Sequence, residues 1–522
     1  MIFNKNKKVL TALISLIILI INIFMSPGCI EKQQNNEKSE ELSIRIGIES
    51  NSQNITLPNI PNFQEYSPEK ILPIANMYNT LVDFDEKYKI IPSLAESWYN
   101  PDNVTWRFYL RNDVEFHNGY DFSAEDVRYT IEKLNHSRLS IIEQIKVVDN
   151  YTMDIITTEP TPMLLNYLTQ VCVISKKYHE ETSNSYPVGT GPYMFNNYSN
   201  GNSITLKKFN NYWKYESLFD SATFKFYYTY EEKIDAFNSG YVDLIDELNP
   251  ADYERLRRLN NTKVINISRP NIYYLSFNFQ EHNSYWNEEV NPVSNVSVRK
   301  AIYHAIDVTP IIEELNNYML VAPLSQIVNS NIIGHNPDIE RLEYNISKAL
   351  QYMRNAGYEQ GFEIELDSFN VTIMKNISSI IVDQLEKINI SVKLNNLSFR
   401  DLITKLLDRN SSFYIIGWQM ESADAMEIFN DILRSVDEKK GYGTSNYGYY
   451  SNDEIDNIAE GINKEMNDKI RISLMQEGFK IAHQDVVYIP IFECRSSYAF
   501  CDYLNFTPRA DSIITIDEIT LS

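Results

Sequence analysis

The chain has 522 residues, of which 43% are hydrophobic and 12% aromatic, so it carries enough apolar material for a large interior and is not expected to be disordered. This length exceeds what a single hydrophobic core usually supports and predicts two or three lobes. A formal net charge of -23 and a pI of about 4.8 argue against a nucleic-acid partner, because such a partner needs a basic surface that displaces counterions.

The N-terminus has the pattern of an export signal. Lysines among the first eight residues precede an almost unbroken apolar run from Val9 to Met25, and Gly28-Cys29 follows shortly after. A short apolar run after a basic start is typical of a secretory signal rather than of a membrane-spanning helix. Residues 1–28 are therefore predicted to be a signal peptide. Cys29 resembles the acylated cysteine of a lipobox and is the expected lipid anchor, with an uncleaved signal anchor as the alternative.

Residues 29–41 are polar and lack an apolar period, which predicts a flexible tether between the membrane and the folded body. The mature chain is thus expected on the outer face of the cell membrane. An exported protein can form disulfides, and Cys494 and Cys501 are the closest pair in sequence. The sequence leaves open whether they pair or remain thiols.

The body alternates strand-like and helix-like segments, which predicts an α/β fold. Strand-type alternation occurs in the segments Leu42–Ile48, Thr105–Leu110 and Ile390–Leu394. Helical patterns are an N-cap at Ser123, the segment Val296–Ile306 and the segment Ile380–Leu385.

Common catalytic patterns are absent from the sequence, so we do not expect an enzyme, a metal site or a cofactor. There is no Gly-x-Ser-x-Gly elbow, no Walker-type glycine loop and no Cys-x-x-Cys pair. Gly189-Thr-Gly191 lacks the third glycine of a dinucleotide-binding loop, where Met194 stands instead. The histidines show no metal-ligand spacing, and His117 is expected to have a structural role.

Several short segments occur in an order that resembles a known family. They are Asn76-Met-Tyr78-Asn-Thr-Leu81, Ile91-Pro-Ser-Leu-Ala-Glu-Ser-Trp98, Thr105-Trp-Arg-Phe-Tyr-Leu-Arg111, Val114-Glu-Phe-His-Asn-Gly119, Pro187-Val-Gly-Thr-Gly-Pro-Tyr193 with Asn211-Tyr-Trp213, and Gly417-Trp418. Together they resemble the family 5 extracytoplasmic solute-binding proteins, the peptide, dipeptide, oligopeptide and nickel receptors of ABC importers. Each motif alone is weak, but their common order spans nearly the whole mature chain.

The resemblance implies a two-lobed periplasmic-binding-protein type II fold that closes around its ligand by hinge rotation. The base of lobe I is expected to comprise about 42–66, 187–268 and 485–522, with an inserted subdomain at about 67–186. Lobe II is expected to cover about 269–484.

The resemblance also implies a ligand site around the segment that begins at Gly417. In peptide-binding members, an acidic residue three positions after the tryptophan pairs with the α-ammonium group of the ligand, and Glu421 stands there in this chain. The other expected ligand contacts are Trp418, Gly417, Asp424 and Tyr78. Two features depart from the family pattern: Glu421 replaces the usual aspartate, and Ala425-Met426 replaces the usual Asp-Pro. Asp424 has helix capping as its alternative role.

The sequence is compatible with three functions. The first is a receptor, expected to be monomeric, that captures di- or oligopeptides and delivers them to ABC permease subunits. The second is a receptor of the same family for a nickel chelate or another small solute. The third, from a different class, is a cell-surface glycoprotein or a secreted hydrolase.

Overall fold

The computed structural model describes residues 41–50, 68–134, 137–182, 186–199, 201–282, 286, 290–420 and 422–522. The predicted signal peptide, most of the tether, the anchor Cys29 and the ligand contact Glu421 lie outside the described residues. Within the described ranges, none of the helices combines the length and the apolar character needed to span a bilayer.

Strands and helices alternate along the chain. The strands are β1 (Ser43–Glu49), β2 (Val82–Phe84), β3 (Ile90–Pro92), β4 (Ala95–Tyr99), β5 (Thr105–Leu110), β6 (Ile142–Asp149), β7 (Thr152–Thr157), β8 (Tyr193–Ser199), β9 (Ser203–Lys208), β10 (Ser221–Tyr227), β11 (Leu244–Asp246), β12 (Thr262–Phe277), β13 (Val321–Pro323), β14 (Phe362–Phe369), β15 (Ile390–Leu397), β16 (Phe413–Gln419), β17 (Tyr488–Cys501), β18 (Leu504–Asn505) and β19 (Thr520–Leu521). The α-helices are α1 (Pro68–Met77), α2 (Ala124–Leu134), α3 (Leu164–Leu168), α4 (Lys176–Glu181), α5 (Tyr230–Asn238), α6 (Pro250–Leu256), α7 (Val296–Ala305), α8 (Thr309–Leu315), α9 (Ile346–Asn355), α10 (Thr372–Glu386), α11 (Phe399–Leu407), α12 (Met426–Ile428), α13 (Asp453–Lys464) and α14 (Asp468–Gln484). Shorter 3-10 turns lie at Ser137–Ile141, Pro292–Ser294 and Ile516–Glu518, and a π-helical turn lies at Phe429–Leu433.

One large mixed sheet organises the molecule, with the strand order β15-β14-β16-β12-β17-β11-β1-β10-β9-β8 and with β13 paired to β17. The long antiparallel strands β12 and β17 run through its middle. Their register shifts between Ser268 and Ile272, opposite Arg495 and Glu493. On one side of them lie β11, β1, β10, β9 and β8, and on the other lie β16, β14 and β15. The register shift between β12 and β17 therefore separates the part of the sheet that contains β11 from the part that contains β16.

The local predictions from sequence agree with these elements. The alternating segment Thr105–Leu110 is the whole of β5, and Val296–Ile306 contains α7. Ser123 precedes α2, where its main-chain N–H and its hydroxyl both contact the carboxylate of Asp126 at 2.9 and 3.0 Å. The Asp126 carboxylate thus accepts from the residue that precedes the helix, as the acidic residue of a capping box does.

Residues 95–157 form a separate four-stranded sheet in the order β4-β5-β7-β6. The chain that returns from this region to β8 packs against the end of α1 and against His117. The main-chain N–H of Gly189 donates to His117 Nδ1 at 3.3 Å, and the opposite ring nitrogen lies 3.0 Å from the Gly191 carbonyl. Burial lowers the pKa of His117 to about 4, so the ring is neutral and its role here is structural.

Glycine is required at this crossing because of close approach. A Cβ atom on Gly189 would lie 2.1 Å from the Met77 carbonyl oxygen, and one on Gly191 would lie 2.6 Å from the carbonyl carbon of the same residue. Neither glycine is among the residues with positive φ. Backbone conformation is therefore not the reason for these two glycines; the reason is the absence of space for a side chain.

The cysteine pair that the sequence left open does not form. Cys494 is a free thiol. Cys494 and Cys501 lie seven residues apart on the same strand, β17, which separates their Cα atoms by roughly 23 Å. A disulfide needs Cα atoms within about 7 Å.

Candidate functional site

The candidate site is a cavity at one edge of the large sheet. Strands β14, β15 and β16 run parallel, so their carboxyl ends, at Phe369, Leu397 and Gln419, lie at the same edge. The antiparallel strand β12 brings Asn271 to that edge, paired with Gln419. In open α/β sheets this edge is where ligands usually bind, because the chain leaves each strand there and opens a crevice.

The cavity has a volume of about 680 Å³. Its lining residues are Asn271, Tyr273, Tyr274, Phe369, Asn370, Val371, Met374, Leu397, Ser398, Phe399, Ile403, Ile416, Gly417, Trp418, Gln419 and Tyr447. Among these described lining residues there is no lysine, arginine, histidine, aspartate or glutamate. The size suits a small organic ligand, and the lining is aromatic and aliphatic with a few amides and a hydroxyl.

Aromatic rings form much of the wall. The rings of Phe369 and Phe399 are nearly parallel, with centroids 5.9 Å apart and an angle of 7°. Tyr273 stacks on Phe492 at 4.7 Å. A Cβ atom on Gly417 would lie only 2.9 Å from the Tyr273 ring, so the glycine lets that ring lie flat against β16. The wall is therefore built from rings whose positions the neighbouring strand fixes.

The side-chain amides of the cavity lie on strands β12 and β16, at Asn271 and Gln419, and on the loop after β14, at Asn370. The Asn370 N–H donates to the Leu397 carbonyl at 2.7 Å, which joins the ends of β14 and β15. Val371 precedes α10, and its side chain makes no capping hydrogen bond. The first N–H groups of that helix therefore receive no side-chain acceptor from this position. The indole N–H of Trp418 is buried and has no hydrogen-bond partner within the part of the chain that the structure describes.

The structure places Trp418 and Gly417 on the cavity wall and Asp424 away from it. The Asp424 side chain is fully buried, and one of its oxygens accepts from the Met426 N–H at 2.9 Å at the start of α12. The other oxygen lies 2.7 Å from the Arg471 guanidinium. Burial works to lower the pKa of Arg471, but the Asp424 carboxylate and its hydrogen bond raise it overall. Both oxygens are thus engaged within the protein, and Asp424 offers no accessible acceptor to a ligand in this structure.

Tyr78 also lies apart from the cavity. Its side chain is 4% exposed, and burial raises the pKa of its hydroxyl. It borders a separate, small polar cavity of about 40 Å³ together with Asn79, Asp83 and Arg509. Of the five ligand contacts expected from sequence, the structure brings Gly417 and Trp418 together, places Asp424 and Tyr78 elsewhere, and does not describe Glu421.

Sequence alone did not identify four of the wall residues, Phe369, Phe399, Tyr273 and Tyr447. A signal existed for two of them, because Phe369 and Phe399 stand where a strand ends and a helix is about to begin. For Tyr273 and Tyr447 we find no comparable signal, since their positions on the wall depend on the pairing of β12 and on a long loop.

Residues 89–440 match the family described as "Bacterial extracellular solute-binding proteins, family 5 Middle". The chain is 22% identical over 449 residues to the dipeptide-binding protein of Escherichia coli K12, which covers 78% of this chain and 82% of that protein. It is 24% identical over 457 residues to heme-binding protein A of Haemophilus influenzae, which covers 80% of this chain and 81% of that protein.

A solved structure of HbpA2 from Haemophilus parasuis superimposes with a TM-score of 0.82 at 20% identity, over 92% of this chain and all of that one (100%). The likeness, together with the large mixed sheet, confirms the predicted α/β, two-lobed solute-binding fold.

Proposed function

The chain belongs to the family 5 bacterial extracellular solute-binding proteins, and from that premise we propose that it is the receptor of an ABC importer that captures peptides outside the membrane. The observation that carries the proposal is the cavity of about 680 Å³ at the carboxyl ends of β14, β15 and β16. Trp418 lies on its wall, and the candidate acid Glu421 follows β16 two residues later in the sequence.

Peptide suits this cavity better than a fully hydrated or highly charged solute. The described lining combines aromatic walls with the side-chain amides of Asn271, Asn370 and Gln419, while the Ser398 hydroxyl is engaged with Asp401 at the start of α11. Amide groups can pair with the main chain of a peptide irrespective of its side chains. A nickel chelate or another small solute remains the alternative from the same family.

Delivery to the permease is proposed to depend on closure of the two lobes. Lobe I would comprise 42–66, 187–268 and 485–522 with the subdomain 67–186, and lobe II would cover 269–484. The crossing strands β12 and β17, with their irregular register between Ser268 and Ile272, are the proposed hinge. Closure is favoured only if ligand contacts both lobes, because ligand shifts the equilibrium by its difference in affinity for the two states.

Export and tethering follow from the sequence of the N-terminus. We propose that residues 1–28 are removed and that Cys29 carries the lipid that holds the protein at the outer face of the membrane. Cys29→Ala is expected to abolish lipid labelling of the protein. Labelling equal to that of the parent would reject Cys29 as the anchor.

The function is tested on protein purified without denaturation. Native mass spectrometry should show added masses that dissociate as di- or oligopeptides, since a closed receptor retains its solute. Calorimetric titration of the emptied protein with a mixture of di-, tri- and tetrapeptides should show saturable binding. Metal-chelate masses in the first experiment, with no heat from peptides in the second, would replace the peptide receptor by the small-solute alternative.

A further inference from the structure

Three neighbouring apolar groups stand at the rim of the cavity: Val371, Phe399 and Phe369. Phe399 is 69% exposed and Val371 is 52% exposed, while Phe369 is half-buried. Phe399 is the first residue of α11 and Val371 immediately precedes α10. Their side chains line the cavity although most of their surface is in contact with solvent.

The fold does not explain the exposure of Phe399. Its ring stacks on that of Phe369, which is itself at the rim. The start of α11 is secured by Ser398, whose hydroxyl accepts from the Asp401 N–H at 3.2 Å, so no aromatic side chain is needed at this position to begin the helix. A single exposed apolar residue is ordinary, but a contiguous apolar rim around a cavity is typical of a binding site.

Deeper in the cavity, Met374, Leu397 and Ile403 continue the apolar surface from this rim. A charged side chain placed there would lose its hydration without gaining an ion-pair partner among the described lining residues. A planar ring placed there would lie against aromatic side chains, for which offset or edge contacts are favourable. The surface therefore discriminates by side-chain class as well as by size.

We infer that this cavity selects peptides that carry an aromatic or large aliphatic side chain, which it receives against Phe369, Phe399 and Trp418. The inference rests on the proposed function and adds the class of ligand. Burial of a large apolar side chain typically improves affinity by on the order of ten- to a hundredfold, which sets the size of the effect to be measured.

The test is calorimetric titration of the emptied full-length mature protein with a reference tripeptide and three sets of substituted tripeptides. Tri-alanine is the reference, and phenylalanine, lysine or glutamate replaces alanine at each of the three positions in turn. At one position or more, phenylalanine should bind roughly ten- to a hundredfold more tightly than alanine, while lysine and glutamate there bind no better than alanine.

Phe399→Ala should lower the ratio of the phenylalanine-peptide affinity to the tri-alanine affinity by several fold. Leu407→Ala is the matched control, because Leu407 is 58% exposed at the other end of the same helix and does not line the cavity. Both substitutions remove an exposed side chain, so neither is expected to alter the thermal midpoint of the empty protein.

The outcomes separate the two proposals. Equal affinity for alanine, phenylalanine, lysine and glutamate peptides would overturn the inferred selectivity and leave the peptide receptor intact. An equal effect of Phe399→Ala and Leu407→Ala would also overturn it, since the rim would then play no particular role. No binding of any of the peptides would overturn the proposed function and the selectivity together.

Discussion

The carboxylate of Asp424 lies 2.7 Å from the guanidinium of Arg471, and the two side chains are 0% and 3% exposed. The pair joins the loop that follows β16 to the helix α14. Removing one partner of a buried ion pair leaves the other charge in a medium that solvates it poorly.

Asp424→Asn should therefore lower the free energy of unfolding by about 3–5 kcal/mol. Glu477→Gln is the control, because Glu477 pairs with Lys480 on the same helix but both side chains are about half exposed. Exposed pairs of this kind contribute about 0–1 kcal/mol. Urea unfolding at neutral pH followed by circular dichroism measures both changes, and equal losses in the two variants would contradict the structural role given to Asp424.

His117 predicts a pH dependence of stability with a defined sign. Its pKa is about 4 in the folded protein against an ordinary value of 6.5, because burial disfavours the charged form of the ring. Between these pH values the unfolded chain binds a proton that the folded chain does not, so stability rises with pH. The contribution of His117 is complete above pH about 6.5 and is lost as the pH falls to about 4; it amounts to about 3 kcal/mol.

The difference in free energy of unfolding between the parent and His117→Gln should consequently grow as the pH is raised from 4 to 6.5. Unfolding curves at half-unit intervals of pH measure it. Other buried groups titrate in the same range in both proteins, and taking the difference removes them. His282→Gln, at an exposed position, serves as the control. A difference that stays constant over this range would reject the role of the neutral ring.

The sequence predicted the strands and helices better than it predicted the residues of the candidate site. The limits of β5 and α7 followed from the spacing of apolar residues, since local periodicity reports which face is buried. The wall residue Trp418 followed from its place in a motif. The ion pair between Asp424 and Arg471 could not be predicted from sequence. The two residues are 47 positions apart, and only the packing of α14 against the loop brings them together. The same holds for Tyr273, whose place on the wall depends on its pairing with Gly417 in the sheet.

A contact between α3 and the loop after β16 bears on lobe closure. The Asn166 side-chain amide donates to the Ser422 carbonyl at 2.8 Å, and both residues are buried. Arg138 and Glu427 make an ion pair nearby at 3.2 Å. In the proposed division of the chain, these contacts connect the inserted subdomain of lobe I to lobe II.

Peptide ligand should reduce the radius of gyration of the parent protein, and Asn166→Asp should diminish that reduction. The substitution removes the N–H donor and places a carboxylate against a carbonyl oxygen, which opposes the closed state and weakens peptide binding by roughly tenfold. Small-angle X-ray scattering with and without ligand measures the change. Asn118→Asp is the control, because exposed Asn118 uses only its side-chain oxygen, which aspartate retains. Identical ligand-bound profiles for Asn166→Asp and the parent would exclude this contact from the closed state.

A substitution at Glu421 tests whether the solute is a peptide. A free peptide carries an α-ammonium group, which needs an acidic partner in a poorly hydrated cleft. If Glu421 is that partner, Glu421→Gln should weaken peptide binding by roughly two to three orders of magnitude, as expected when one member of a buried ion pair is removed. N-acetylated peptides should bind the parent about as poorly, since they lack the charge. Thermal stability without ligand should change little. Glu438→Gln controls for the general loss of a negative charge, since the Glu438 side chain is 84% exposed. Calorimetric titration of free and acetylated forms of one peptide against the three proteins provides the comparison. If acetylation and Glu421→Gln both leave the affinity unchanged, either the ligand ammonium is held elsewhere or the solute is not a peptide.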